Sequence, residues 1–252
     1  MLDAKKERES AFHNARFSAE TEPRRAFAPI YRLMLPANLL YHQTVEGFRG
    51  MGRVLEYGCG HGENALTFAR RGLDITGIDI SEAGVARGKA QAARVGLPTR
   101  FMVMDAEHLD FADNTFAAVI GKGILHHLDI EAAYREIARV LEPNGRAVFI
   151  EPLGHSPLIN WFRRRTSFAR TPDERPLLMN DLDGARAHFK RVDLTFFNLT
   201  TLAAAPFKSE KVFTPLFSLF GAVDTLLFRA FPRIARYAWM VFMDMRGPIK
   251  DL

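Results

Sequence analysis

The feature that most constrains the fold of this chain is an alternation of short apolar segments with longer amphipathic ones, beginning at about residue 53. Short apolar runs are typical of buried strands, and amphipathic runs are typical of helices that cover a sheet. Five strands are predicted, over Arg53–Tyr57, Asp74–Ile80, Thr99–Met104, Phe116–Ile120 and Arg146–Glu151. Helices are predicted between them, over Glu63–Arg71, Ser81–Val95 and Ile130–Leu141. This order indicates βαβ units and an α/β fold with a parallel sheet.

Three local features refine this prediction. Ser81, followed by Glu82, is a good N-cap for the second of these helices. Pro143–Gly145 is predicted to form a turn that leads into the fifth strand. The first fifty residues are predicted to form two or three helices ahead of the sheet, one of them over Ile30–Phe48.

The pattern changes after the fifth strand. Pro152–Pro176 contains four prolines and is predicted to be a loop with one short helix, and a helix over Asp181–Lys190 follows. Two more strands, Val192–Leu199 and Ala238–Arg246, could pair as a hairpin. The segment between them, Thr201–Tyr237, is rich in phenylalanine and is predicted to be a helical insertion.

Composition limits the class of partner. The chain has 252 residues, 48% of them hydrophobic, and its net charge is only +5, with the basic residues scattered. A mild excess of this kind suits anionic small molecules or an anionic membrane surface, whereas nucleic-acid binding needs a concentrated basic face. We therefore expect a small-molecule partner and no nucleic acid.

The expected location is the cytoplasm. Cys59 is the only cysteine, so neither an intrachain disulfide nor a cysteine-based zinc site can form. Met1–Glu9 lacks the apolar core of a signal peptide. Val212–Val223, the longest charge-free apolar stretch near the C-terminus, is too short to span a bilayer and contains Pro215.

A glycine-rich turn follows the first strand, within Val54–Ala65. Gly58, Gly60 and Gly62 allow the backbone to approach a ligand closely, and the helix that follows offers free N–H groups. A dinucleotide fingerprint would have its third glycine where Glu63 stands. A carboxylate repels a pyrophosphate but attracts a sulfonium or an ammonium group, so the turn favours a cationic ligand over a dinucleotide. The alternative is a bare strand–helix turn.

The next strands carry polar residues or glycine at their carboxyl ends, the edge at which open α/β sheets bind ligands. Asp79 ends the second strand about twenty residues beyond the glycines, where a carboxylate can accept from both ribose hydroxyls. It could equally cap the following helix. Asp105 ends the third strand and could accept from an adenine amino group, and Gly121 follows the fourth.

These motifs together resemble the class I S-adenosylmethionine-dependent methyltransferases over about Arg53–Glu151. The resemblance is carried by Leu-Glu-Tyr-Gly-Cys-Gly-His-Gly, Gly-Ile-Asp-Ile-Ser, Asp-Ala-Glu and Leu-Glu-Pro-Asn-Gly-Arg, in this order. It implies S-adenosylmethionine as the cofactor, and it implies roles for eight residues. Glu56, Gly58 and Gly60 would surround the methionine part of the cofactor, and Gly121 would contact its amino-acid end. Asp79 would bind the ribose. Ile80 would lie against the adenine, and Asp105 and Ala106 would contact the adenine edge. Phe12–Phe17 is similar to the N-terminal helix that closes over the cofactor in small-molecule members.

The seven predicted strands and this resemblance imply a Rossmann-like, doubly wound sheet, mostly parallel, with the last strand antiparallel. Four regions are expected. Residues 1–50 form a helical cap over the cofactor site, 51–200 the cofactor-binding core, 201–237 a helical insertion that serves as an acceptor lid, and 238–252 the final strand.

Four residues near the ends of the fourth and fifth strands are candidates for the base that deprotonates an acceptor: His126, His127, Glu151 and His155. A histidine has a pKa near neutrality and suits this role. Each also has a structural alternative, such as shaping a turn or binding backbone amides. The spacing of the two histidines and Glu151 matches no helical metal-ligand motif, so no metal is expected.

The phenylalanines of Thr201–Tyr237 allow three interpretations: a cap packed on the sheet, an acceptor pocket, or a helix on a membrane surface, since basic residues flank the segment.

The predicted function is methyl transfer to a small apolar or amphipathic acceptor, such as a natural product, an isoprenoid or a lipid-linked intermediate. O-methylation is the default. C- or N-methylation, RNA methylation and cofactor binding without catalysis are the alternatives.

Overall fold

The computed structural model describes residues 4–18, 28–166, 171 and 173–250. Its centre is a seven-stranded sheet with strand order β3-β2-β1-β4-β5-β7-β6. The strands are β1 (Arg53–Tyr57), β2 (Asp74–Asp79), β3 (Arg100–Val103), β4 (Phe116–Lys122), β5 (Leu141–Pro152), β6 (Phe189–Phe197) and β7 (Met240–Pro248). β1 to β5 pair in parallel, and β7 is antiparallel to both of its neighbours. The predicted Rossmann-like fold is confirmed.

Helices cover both faces of the sheet. The α-helices are α1 (Ala4–Ser18), α2 (Ala28–Tyr31), α3 (Leu35–Glu46), α4 (Glu63–Arg70), α5 (Glu82–Arg94), α6 (Ile130–Val140), α7 (Pro157–Arg165), α8 (Met179–Gly184) and α9 (Glu210–Ala230). Short 3₁₀ helices lie at Arg32–Met34, Leu125–His127, Ala185–Ala187, Thr200–Ala204 and Pro232–Tyr237.

The central strands are apolar throughout because both faces of the sheet are buried. In β1, Val54 packs into one core cluster with Tyr41 and Phe68, whereas its neighbour Leu55 packs into the other with Tyr134. Successive side chains of a strand point to opposite faces, so a strand covered on both sides needs apolar residues at every position. This is why the sequence locates these strands well.

Two predicted helices are shorter than expected. The helix predicted over Ile30–Phe48 is divided into α2, a 3₁₀ turn and α3, because Pro36 lies in the first turn of α3 and cannot continue a preceding helix. The helix predicted over Asp181–Lys190 is also wrong at its C-terminal end. α8 ends at Gly184 and is followed by a 3₁₀ turn over Ala185–Ala187, because Phe189 already pairs with Pro248 in the sheet.

The turn predicted at Pro143–Gly145 is wrong as a separate element, because these residues lie inside β5. They form an irregularity in the pairing with β4: Leu141 faces Phe116, whereas Arg146 faces Ala118. The extra residues bulge out of the ladder, and the strand resumes beyond them. The predicted N-cap at Ser81 is confirmed, since its hydroxyl accepts a hydrogen bond from Gly84 N at 3.0 Å.

The insertion between β6 and β7 consists mainly of α9, which has 21 residues and continues through Pro215. It is the one helix in the described part of the chain that is long and apolar enough to cross a membrane, judged by length and composition alone. The charge-free stretch Val212–Val223 identified in the sequence is thus part of a longer helix. Little of α9 is buried, and Leu219 and Leu226 are 59% and 66% exposed.

Candidate active site

A cavity of about 670 Å³ lies at the carboxyl ends of β1, β2, β3 and β4, with α1 forming part of its wall. Most of the predicted site residues line it. They are Gly58, Gly60, Asp79, Ile80, Asp105, Ala106, His126 and His127. The topology explains this convergence, because parallel strands deliver their carboxyl ends to one edge of the sheet.

The glycine turn between β1 and α4 has the left-handed backbone that its glycines permit. Gly58 and Gly60 have φ values of +63° and +52°, which other residues adopt only with strain. A Cβ on Gly60 would also lie 2.8 Å from the ring of Phe17 on α1. The turn is therefore compact, and the N-terminal helix packs directly on it.

Asp79 holds this turn as well as lining the cavity. Its Oδ2 accepts from Gly60 N at 2.7 Å, and its Oδ1 accepts from Ser81 N at 2.8 Å. A carboxylate has about four acceptor positions, so two remain for the hydroxyls of a ligand. The two predicted roles, ligand binding and fixing the backbone next to a helix, are thus compatible.

Asp105 lies in the cavity wall with a partner that the sequence did not indicate. Lys6 of α1 donates to Asp105 Oδ2 at 2.7 Å and lies 2.8 Å from Glu107 Oε2. Burial opposes ionisation of Asp105, but the hydrogen bond and charge of Lys6, together with hydrogen bonds from the Glu107 backbone and from His108, lower the pKa of the carboxyl. The predicted adenine-reading position is therefore also a point where α1 attaches to the sheet.

Glu56 and Gly121 do not line the cavity. Glu56 is buried beneath the glycine turn, bound to Asn64 and the backbone of Ala65, and burial raises its pKa to about 8. A Cβ on Gly121 would lie 2.5 Å from the ring of Phe149. The glycine at this position is therefore required by packing inside the sheet layer.

His126 and Glu151 form a buried pair. His126 Nδ1 lies 2.7 Å from Glu151 Oε2, and Glu151 Oε1 accepts from the backbone N–H groups of Ile124 and Leu125, at 2.9 Å each. A carboxylate in this position needs a donor, so Nδ1 carries the proton and the lone pair lies on Nε2. Burial lowers the pKa of His126, and His127 adds to that effect. The arrangement holds a neutral imidazole at the cavity wall.

His127 faces the N-terminal helix instead. Its Nδ1 lies 3.1 Å from Glu9 Oε2, and His13 Nε2 lies 3.5 Å from the same oxygen. Glu9 also accepts from the Thr171 hydroxyl at 2.5 Å. The adjacent histidines therefore have different partners: His126 pairs with Glu151 of β5, whereas His127 pairs with Glu9 of α1.

His155 is not among the cavity residues. Its Nε2 accepts a hydrogen bond from Met179 N at 3.1 Å, so the ring fixes the start of α8. Burial lowers the pKa of His155, with a contribution from Arg236. We do not retain it as a candidate base.

Part of the cavity wall is apolar. It includes Tyr31, Met34, Ile150, Trp239 and Met240, and the rings of Tyr31 and Trp239 stack at 6.4 Å. None of the lining residues comes from 201–237. In that segment Phe213 is buried in the core, whereas Phe231 is 63% exposed. The Phe-rich insertion therefore does not form the pocket. The aromatic part of the wall comes from Tyr31, the last residue of α2, and from Trp239, which immediately precedes β7.

Several residues at the cavity were not predicted from the sequence: Lys6, Glu9, Lys122, Arg163 and Glu174. Glu9 stands four residues before His13 in α1, a helical spacing that places both on one face, and this signal was present in the sequence. Arg163 and Glu174 pair at 2.7 Å across the proline-rich connection after β5. Nothing in the local sequence pattern indicates that contact.

The chain matches known proteins in its central part. Residues 55–149 match the family model of a methyltransferase domain. The ubiquinone/menaquinone biosynthesis C-methyltransferase of Geobacter sulfurreducens is 37% identical over 123 residues, which cover 46% of this chain and 47% of that protein. The fatty-acid O-methyltransferase of Mycolicibacterium smegmatis is 34% identical over 128 residues, which cover 49% of this chain and 46% of that protein. The matched region spans about half the length of these relatives.

Among solved structures, the geranyl diphosphate C-methyltransferase of Streptomyces coelicolor, in complex with Mg²⁺, geranyl diphosphate and S-adenosylhomocysteine, has a TM-score of 0.67. It is 15% identical, and the likeness covers 98% of this chain and 100% of that chain. At this identity the likeness shows the fold. Over residues 55–149 the family match confirms the predicted methyltransferase domain.

Proposed function

We propose that the protein is a class I S-adenosylmethionine-dependent methyltransferase that methylates a small apolar or amphipathic acceptor, a proposal that the methyltransferase-domain match over residues 55–149 supports. One observation carries the proposal. The cavity that the glycine turn and the strand-end carboxylates line is also lined by His126 and by an apolar wall. A cofactor site and an acceptor site thus share one space.

The donor set of the cavity suits S-adenosylmethionine. Asp79 offers two free acceptor positions at the end of β2, which fit ribose hydroxyls. Ala106 and Ile80 provide contact surface for the adenine, next to the Asp105 carboxylate. Lys122, at the end of β4, offers a positive charge to the carboxylate of the methionine part. When bound, S-adenosylmethionine supplies a methyl group that its sulfonium has already activated.

In this proposal the protein aligns the acceptor and removes its proton. His126 Nε2 is the base, because Glu151 holds the proton on the other ring nitrogen. Glu151 is a positioning residue: it fixes the tautomer and orientation of the ring and stabilises the imidazolium that forms. O-methylation is the reaction that needs such a base most directly, and it remains the default over C- or N-methylation.

The acceptor is apolar because the wall facing it is apolar. Tyr31, Met34 and Trp239 offer aromatic and thioether surface without charge. Pockets of this composition bind their ligands mainly by burying apolar area. The relatives named as a methyltransferase of ubiquinone/menaquinone biosynthesis and as a fatty-acid O-methyltransferase support an acceptor of this kind.

We further propose that the protein works in the cytoplasm and contacts the membrane surface through α9. Exposed apolar residues follow one another at helical spacing along this helix: Val212, Leu219, Val223 and Leu226. Exposed basic residues flank them, at Lys208, Lys211, Arg229 and Arg233. An amphipathic acceptor partitions into membranes, so this contact would bring the cavity close to its substrate.

Methyl transfer tests the proposal directly. The purified protein is incubated with methyl-tritiated S-adenosylmethionine and, separately, with a free fatty acid, a prenylated hydroquinone and geranyl diphosphate, and products are identified by mass spectrometry. We expect O-methylation of at least one acceptor, and a loss of about 10²–10⁴-fold in turnover for His126→Ala, the usual contribution of general base catalysis.

His155→Ala is the matched control, and it should retain turnover within about threefold, since the residue is outside the cavity. Affinity for S-adenosylhomocysteine is measured for each variant, so that a loss of cofactor binding is not mistaken for a loss of the base. Tight S-adenosylhomocysteine binding with no transfer to any of the three acceptors would contradict the proposal.

A further inference from the structure

Three potential metal-ligand atoms meet beneath α1. Glu9 Oε2 lies 3.1 Å from His127 Nδ1 and 3.5 Å from His13 Nε2, and the three ligand atoms all lie within 4.8 Å of one another. Glu9 and His13 are one helical turn apart on α1, and His127 belongs to the 3₁₀ turn after β4. All three residues line the cavity.

The helix is held firmly enough to make this a built site. Asn14 of α1 accepts from the Ser81 hydroxyl at 2.7 Å and from Ala83 N at 3.1 Å, at the start of α5. Lys6 adds its contacts to Asp105. The two ligand residues on α1 are thus positioned against the sheet from both ends of the helix.

The pattern of satisfied and unsatisfied atoms points to a cation. Glu9 is 5% exposed, and its Oε1 accepts from Thr171. Its Oε2 and the Nδ1 of His127 are both buried without a well-aligned hydrogen bond. Burying a carboxylate oxygen that makes no hydrogen bond is costly. A metal ion placed between these atoms would satisfy both of them and the His13 nitrogen.

We propose that Glu9, His13 and His127 bind one divalent first-row transition-metal ion. Such ions lie about 2.0–2.2 Å from imidazole nitrogen and carboxylate oxygen. At that distance two ligands in tetrahedral or octahedral arrangement are about 3–3.5 Å apart, which is the range of the two separations from Glu9. Two imidazoles with one carboxylate suit zinc, iron, cobalt or nickel better than magnesium or calcium.

A second group, His126, His127 and Glu174, shares one of these ligands. It is the poorer site, because His126 Nδ1 is paired with Glu151 and Glu174 is paired with Arg163 at 2.7 Å. His126 Nε2 is also 3.8 Å from Glu174 Oε1. The ion therefore belongs to the group on α1, and His126 is left to act as the base.

Three protein ligands leave at least one coordination position open toward the cavity. If the proposed function holds, this position would take an oxygen of the acceptor, such as a hydroxyl, phenol or carboxylate. Coordination to a divalent ion lowers the pKa of a hydroxyl and makes its deprotonation easier at neutral pH. The site would then select acceptors that bear an oxygen next to an apolar body.

Metal binding is tested on the full chain after treatment with EDTA. The protein is titrated with Co²⁺ and followed by visible absorption, and with Zn²⁺ by calorimetry. We expect one ion per chain for each metal, and we expect Glu9→Gln and His13→Gln each to weaken binding by at least about tenfold, the usual effect of changes around a metal site. Glu7→Gln, on the exposed side of the same helix, is the matched control and should bind both metals as the wild type does.

Saturable binding that the two ligand variants do not weaken, or no binding at all, would overturn the proposal and leave Glu9 paired with protonated histidine. Circular dichroism and S-adenosylhomocysteine affinity are measured on the same samples. Metal binding lost in a variant that still folds and binds S-adenosylhomocysteine supports the site. S-adenosylhomocysteine binding without metal binding in the wild type overturns the metal site alone, and leaves the methyltransferase proposal standing.

Discussion

Asp79 is positioned to serve the backbone and, in the proposed function, a ligand as well. It accepts from two backbone N–H groups, one in the glycine turn and one at the start of α5. These bonds fix the carboxylate at the cavity wall before any cofactor arrives. Charge-assisted hydrogen bonds are strongest when the acceptor is held in place in this way.

Asp79→Ala should weaken S-adenosylhomocysteine binding by at least about tenfold, for the loss of a charge-assisted bond to the ribose. Calorimetric titration measures the change. Asp74→Ala is the matched control, because Asp74 stands exposed at the opposite end of the same strand and should leave the affinity unchanged. Equal affinity in the two variants would remove Asp79 from the cofactor site.

Glu56 links the pH dependence of stability to a single buried carboxyl. Burial raises its pKa from 4.5 to about 8 in the folded protein. The folded state therefore holds a proton that the unfolded chain releases between these two values. The contribution of the protonated form to stability is complete below about pH 4.5 and is lost as the pH rises through about 8.

Glu56→Gln should remove this loss, because the amide is neutral at every pH. We expect its melting temperature to fall less than that of the wild type between about pH 6 and about pH 9, and to be higher by at least about 3 °C at the upper limit, where 1 kcal/mol corresponds to about 2–4 °C. Thermal unfolding across this range measures the effect. The exposed Glu82→Gln should follow the wild type, and a Glu56→Gln variant that does the same would show that Glu56 ionises normally.

At the scale of elements, the strands were predictable from the sequence, and the reason is burial on both faces. β1, β2 and β4 are short apolar runs bounded by glycine or by polar residues, and their predicted limits agree with the structure to within two residues. The strand-end residues were predictable for the same reason. Once parallel strands are located, their carboxyl ends must meet at one edge.

The contacts made by helices across the sheet were not predictable to the same extent. Periodicity places Glu9 and His13 on one face of α1, but it does not show that this face meets His127. The insertion was misjudged for a related reason: phenylalanine recurs along α9 whether a ring packs on the core, as Phe213 does, or faces solvent, as Phe231 does just beyond it. Long-range packing decides between these outcomes, and one chain's periodicity does not encode it.

At the scale of the whole molecule, α9 exposes large apolar residues along its length, among them Leu219 and Leu226. Asp224, in the middle of the helix, is buried and accepts from the backbone N–H groups of Leu199 and Thr200. Moving α9 across a bilayer would leave these groups without partners. The helix is therefore suited to lie on a membrane surface, with Leu219 and Leu226 inserted and its basic neighbours near anionic headgroups.

Binding to vesicles tests this orientation. The protein should sediment with vesicles that contain phosphatidylserine and much less with vesicles of phosphatidylcholine alone, since the basic residues add an electrostatic attraction. Leu219→Ser combined with Leu226→Ser should weaken binding by at least about tenfold, because each leucine contributes about 1 kcal/mol or more when its exposed surface is buried.

Val95→Ser, at the end of α5 and 39% exposed, is the matched control for loss of surface apolarity. If both proteins bind like the wild type, α9 does not contact the membrane. If the wild type resists extraction at alkaline pH, the helix crosses the bilayer and the surface orientation is wrong.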